Sequence, residues 1–251
     1  MESEPILHRA PLSADETDGF RWLDLVPPIV FTIVGIVLIF AVLIGVARTN
    51  RAFYRANVET ISLVTTLGIY LAFGAGLVVA LRRLRAPLAF LGLRRPTWPD
   101  IGLVLLLLVP WYLGIIAVSI LSAFLFNGGH VIQGNSRLLF IQRPNGTALL
   151  LLALLVTAVA APVCEEIFFR GMLFRLLGRR MPVSAAVVIS ATAFGLAHAS
   201  PAVSWALLPT FAYMGIVLGA LYARTGVLTN TVMLHGLNNA IVTIIAFIAA
   251  R

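Results

Sequence analysis

Seven stretches of this chain are apolar for about the thickness of a bilayer, at roughly residues 27–47, 59–81, 101–126, 148–168, 183–199, 204–223 and 228–250. A spanning helix needs roughly 20 apolar residues, and in hydrocarbon a helix satisfies its own backbone hydrogen bonds. The pattern predicts an all-α, polytopic integral membrane helical bundle of about seven to eight transmembrane helices. The short fifth run and the interrupted fourth set that range. Hydrophobic residues make up 60% of the chain and charged residues 11%, against about 25% charge in a soluble domain. The lipid bilayer is therefore the first partner the sequence implies.

The net charge of +8 comes from eighteen Arg and no Lys. Those Arg cluster between apolar runs, as cytoplasmic loops require, and not along one amphipathic face. Nucleic-acid binding is set aside on that ground. Residues 1–26 are mixed and acidic and read as a soluble tail without the basic start of a signal peptide. Residues 27–251 form a single transmembrane domain with no visible internal repeat. Alternating the loops puts eleven Arg on the side of the N-terminus and six on the other, which predicts a cytoplasmic N-terminus. The longest connection, 127–147, reads as an ordinary exposed loop. The single Cys164 excludes an internal disulfide and reads as a small packing residue.

Eight of the ten carboxylates lie at or before Asp100; the other two, Glu165 and Glu166, are neighbours inside the fourth apolar run. An ionised carboxylate in hydrocarbon costs on the order of 3 kcal/mol, and intramembrane acids usually face a bundle interior or wet cavity as functional groups. At 100° per residue Glu166 and Arg170 are about 40° apart, the i,i+4 spacing of an ion pair. Glu165 lies about 140° from Arg170 and near Phe169, an environment that suits a general base; the alternative is that both acids share Arg170 as a structural network.

Two further polar clusters follow. His198 closes the run Phe194-Gly195-Leu196-Ala197-His198. Counted from a turn centred near Met181, Glu165 and His198 stand at about the same height, roughly 24–26 Å along their helices. His235 and Asn239 share a helix face at i,i+4, with Asn238 about 60° off it. A carboxylate and a His can deprotonate water and return the proton to a leaving amine. A second His and a carboxamide can donate to a developing oxyanion. The same atoms offer an alternative, zinc held by Glu165, His198 and His235, but no His-Glu-x-x-His helix is present.

Glu-Glu-x-x-x-Arg (Glu165, Glu166, Arg170), Phe-x-x-x-His (Phe194, His198) and His-x-x-x-Asn (His235, Asn239) occur in that order on successive apolar helices. This resembles the CPBP, or Abi, family of intramembrane proteases, which includes the type II CAAX prenyl endopeptidase and bacterial proteins linked to bacteriocin processing and self-immunity. The resemblance covers about residues 147–250, the expected catalytic core; residues 1–146 are expected to add only helices that complete the bundle. It implies that Glu165 and His198 activate water, that Glu166 and Arg170 support them, and that His235 and Asn239 form the oxyanion hole, without a metal cofactor. It implies a membrane-associated peptide or protein substrate. The Lys-free composition suggests a bacterial source and an inner-membrane location. The competing reading is a non-catalytic binding, immunity or transport protein that uses the same buried polar cluster.

Overall fold

The computed structural model describes residues 21–84, 91–130, 146–199 and 203–249. All regular structure among the described residues is helical. We label the helices α1 (Val26–Thr49), α2 (Arg51–Ala56), α3 (Val58–Leu84), α4 (Trp98–Phe126), α5 (Thr147–Gly178), α6 (Val183–Ala197), α7 (Leu208–Thr225) and α8 (Leu228–Ala249). Each of the seven apolar runs is found as a helix. Six are long and apolar enough to cross a membrane, and α6, with 15 residues, is a seventh, shorter apolar helix. An eighth span is not found among the described residues. The connection over residues 131–145 and the tail up to residue 20 lie outside them. The last residues of the expected tail form a 3-10 turn, Trp22–Leu25, that leads into α1.

Local chemistry accounts for the helix ends. Pro27 and Pro28 occupy the first turn of α1, where a missing N–H costs nothing. Asn50 ends α1, and its side chain accepts from Phe53 N at 3.0 Å to start α2. At α4 the Thr97 N–H donates to Asp100 Oδ2 at 2.7 Å in a capping box. Arg94 grips the same carboxylate with two N–H groups at 2.7 and 3.0 Å, which raises the guanidinium pKa above its usual value.

Large apolar side chains are exposed, and the buried residues, though mostly apolar, include charged and polar groups. Val37, Leu106 and Phe124 are exposed, whereas Glu166 and Arg170 are fully buried. Exposed apolar area on this scale marks a lipid-facing surface. The protein is a multi-pass integral membrane protein.

The chain divides into two compact units. One comprises Met1–Phe20, Ala86–Leu138 and Glu166–His235; the other comprises Arg21–Arg85, Leu139–Glu165 and Gly236–Arg251. In the first, α6 and α7 approach to backbone contact, since a Cβ on Gly215 would stand 2.8 Å from Ala191 Cα. Small residues allow such contact where lipid offers no hydrophobic drive for association. Tyr213 Oη donates to Pro110 O at 3.0 Å, tying α7 to α4. In the second unit, Leu63 of α3, Ala153 of α5 and Phe247 of α8 form a buried cluster. There α1 and α3 touch where Gly35 faces Ala72.

Candidate active site

Helix α5 carries both carboxylates, and a proline shapes it. Pro162 has no N–H to give the preceding turn. The Ala161 N–H bonds Val156 O, an i→i+5 pairing, and Leu155–Ala160 is π-helical. Ala161–Glu166 is α-helical, and Ile167–Phe174 is again π-helical. Wide turns of this kind are frequent at functional sites. They also change the ruler: 100° and 1.5 Å per residue hold for an α-helix, so the equal heights expected of Glu165 and His198 have no such basis through Ile167–Phe174.

The Glu166–Arg170 pair forms as the spacing predicts. Arg170 Nη1 donates to Glu166 Oε1 at 2.8 Å, both side chains being buried. His235 Nδ1 meets the same oxygen at 2.9 Å. Arg170 Nη2 donates to Gly215 O at 3.0 Å, and its guanidinium lies 4.6 Å from the Phe194 ring centroid. One guanidinium thus joins α5 to α7 by a carbonyl bond and to α6 by a cation–π contact, besides its ion pair within α5. Burial without those partners would leave a charge uncompensated at severe cost.

Phe194 stands among the other candidates. It is fully buried, with Phe169, His198 and His235 around its ring at centroid distances of 5.2, 4.7 and 5.7 Å. Its carbonyl lies 2.8 Å from His198 Nδ1. A carbonyl only accepts, so Nδ1 carries a proton and the neutral ring presents its lone pair at Nε2. His198 also stacks on Phe211, at 4.3 Å and 15°. The ring plane and the tautomer of His198 are both set by neighbours.

Glu165, Asn239 and their partners lie in the other unit. The Tyr70 hydroxyl donates to Glu165 Oε1, and Cys164 Sγ lies 3.7 Å from Tyr70 O, its thiol donating. The group bonded to Glu165 Oε1 is a phenol from α3. The expectation that residues 1–146 only complete the bundle is corrected here: α3 supplies a side chain that touches Glu165. Asn239 Nδ2 donates to Thr157 O at 2.8 Å, and Asn238 Nδ2 to Asn239 Oδ1 at 3.1 Å. Gly236 makes room for this, because a Cβ there would come within 2.6 Å of Ala158 O.

Sequence reasoning missed Tyr70, Thr157 and Phe211. A hydroxyl or aromatic residue in an apolar helix carries no local sign of its partner. Among the described residues no group of three His, Cys, Asp or Glu is placed to hold a metal ion.

Residues 147–241 match a family model described as type II CAAX prenyl endopeptidase Rce1-like. This segment is similar to that family. The matched segment spans α5 to the middle of α8 and holds Glu165, Glu166, Arg170, Phe194, His198, His235 and Asn239, whereas Tyr70 lies outside it. No curated protein and no solved structure matches the chain. The resemblance read from three short motifs and the family model thus coincide on the same stretch of chain.

Proposed function

We propose that the protein is an intramembrane endopeptidase that hydrolyses a peptide bond of a membrane-associated peptide or protein without a resident metal. The observation that carries this reading is the Nδ1 bond of His198 to Phe194 O, within an Rce1-like segment that supplies the remaining groups. A His held in that tautomer is a base at Nε2. Glu165 and His198 act on one water: a proton passes from water to Glu165, and the hydroxide oxygen bonds to the carbonyl carbon. The C–N bond then breaks as the leaving nitrogen takes up the proton, with His198 guiding the transfer. A carboxylic acid and an amine result.

Glu166 and Arg170 hold α5 and His235 in place by the bonds described. His235 and Asn239 stabilise the tetrahedral oxyanion, an effect worth about 3–4 kcal/mol per donor. For His235 the geometry fixes the form required. With Nδ1–H engaged on Glu166, only the imidazolium has an Nε2–H to donate. Asn239 spends one carboxamide hydrogen on Thr157 O and retains the other. The Arg bias supports a cytoplasmic N-terminus, and the Lys-free composition supports a bacterial plasma membrane.

The test compares peptide termini in membranes from cells carrying wild type or Glu165→Gln at equal abundance. Termini that vanish in the variant support proteolysis and name the substrate. Identical termini, with a phenotype that both forms rescue, would assign the protein a binding role instead.

A further inference from the structure

We infer that Tyr70 is the positioning residue of the general base: its hydroxyl fixes Glu165 Oε1 and directs the proton taken from water to Oε2. The inference rests on the endopeptidase reading of Glu165 and adds a residue from outside the Rce1-like segment.

A Glu side chain has three rotatable bonds, and ordering it costs up to about 2 kcal/mol of rotamer entropy. In α5 that cost is met by α3, which is fastened beside the carboxylate at two consecutive residues. Tyr70 Oη donates to Glu165 Oε1, and the thiol of Cys164 reaches the Tyr70 carbonyl at 3.7 Å. Gly74, one turn further along α3, also faces Cys164: a Cβ there would lie 3.6 Å from Sγ, in ordinary van der Waals contact. The side chain, the adjacent backbone and the facing helix are therefore held together, and Glu165 itself is buried.

The chemistry follows from which oxygen is engaged. A phenol hydroxyl bonded to a carboxylate oxygen stabilises negative charge there and makes that oxygen the weaker base of the two. The proton removed from water then settles on Oε2, and Oε1 stays tied to Tyr70 through the cycle. Misplacing a reacting group by about 1 Å can cost roughly 10²-fold in rate. Interhelical hydrogen bonds in membranes, by contrast, average about 0.6 kcal/mol in stability. Loss of this one bond therefore affects rate far more than folding.

The test measures the rate at which Glu165-dependent peptide termini appear in membranes carrying wild type, Glu165→Gln, Tyr70→Phe, or a series of fluorinated tyrosines at position 70. Abundance and melting temperature are recorded for each. The expected result is normal abundance for Tyr70→Phe with a rate about 10- to 100-fold lower. Across the fluorinated series the rate should fall stepwise as the phenol becomes more acidic, because a stronger donor weakens the base. Fluorine barely changes the ring's size, so a purely structural role would leave that series flat. A wild-type rate in Tyr70→Phe, or a slow Tyr70→Phe with a flat series, overturns the inference while the endopeptidase reading stands. Termini unaffected by Glu165→Gln overturn that reading and this inference with it.

Discussion

Replacing Arg170 by Met tests whether the buried ion pair carries the fold of the site. Met keeps an unbranched apolar stem of similar reach, so little packing is lost and the change isolates the charge. The losses include the 2.8 Å pair with Glu166, the 3.0 Å bond to Gly215 O, and the contact with the Phe194 ring. Breaking a buried pair from one side costs about 3–5 kcal/mol, because the other charge is left uncompensated. A carbonyl hydrogen bond is worth about 1 kcal/mol and a desolvated cation–π contact about 2 kcal/mol. These share one guanidinium and do not add, so the carboxylate, left with only His235 Nδ1 of the two donors on Oε1, sets the magnitude. Arg170→Met should lose about 3–5 kcal/mol in denaturant unfolding in mixed micelles, a large share of the 5–15 kcal/mol typical of a folded protein. Removing the charge as well, in Glu166→Gln/Arg170→Met, should recover at least about 1 kcal/mol of the loss. A single variant within about 1 kcal/mol of wild type, or a double variant no better than the single, would refute the reasoning.

Glu165→Gln and His198→Ala should each lower turnover by at least about 10²-fold while the protein accumulates normally, measured as the rate at which new peptide termini appear. Chelator should leave that rate intact; inhibition that zinc reverses would restore the zinc reading of Glu165, His198 and His235. Gly236→Ala should destabilise by about 1–3 kcal/mol, since its Cβ would stand 2.6 Å from the Ala158 carbonyl oxygen, a backbone atom that moves only with its helix; a melting temperature equal to wild type would count against that packing.

The bilayer made much of this architecture readable. Each apolar run became a helix because hydrocarbon leaves few other backbone solutions, and the turn near Met181 appears where Gly178 and Pro182 stand. The Glu166–Arg170 pair was legible for the same local reason: partners four residues apart meet whatever surrounds them. His235 as a partner of Glu166 was not, because 69 residues separate them and helical angles say nothing about a facing helix. Tyr70 was hidden more thoroughly, lying 95 residues from Glu165. A tyrosine in an apolar helix reads as packing until its hydroxyl is located.

Pro162 is the signal that sequence reasoning passed over, and it ties the backbone of α5 to the side chains of α8. A proline inside a helix removes the donor that an earlier carbonyl expects. The carbonyl of Thr157 is so placed: the Ala161 N–H four residues on goes to Val156 O, and the fifth residue on is Pro162 itself. An unsatisfied carbonyl within a bilayer costs several kcal/mol, and Asn239 Nδ2 supplies the donor at 2.8 Å. Gly236, one turn earlier on α8, removes the side chain that would block this approach. The His-Gly-x-x-Asn spacing therefore answers a demand set by the proline three residues before Glu165. A carboxamide tied down in this way is an oriented donor, which is what an oxyanion site requires. The irregular backbone beside the acids and the polar residues facing it are one arrangement, in which the group that satisfies the helix is also the group proposed for the oxyanion site.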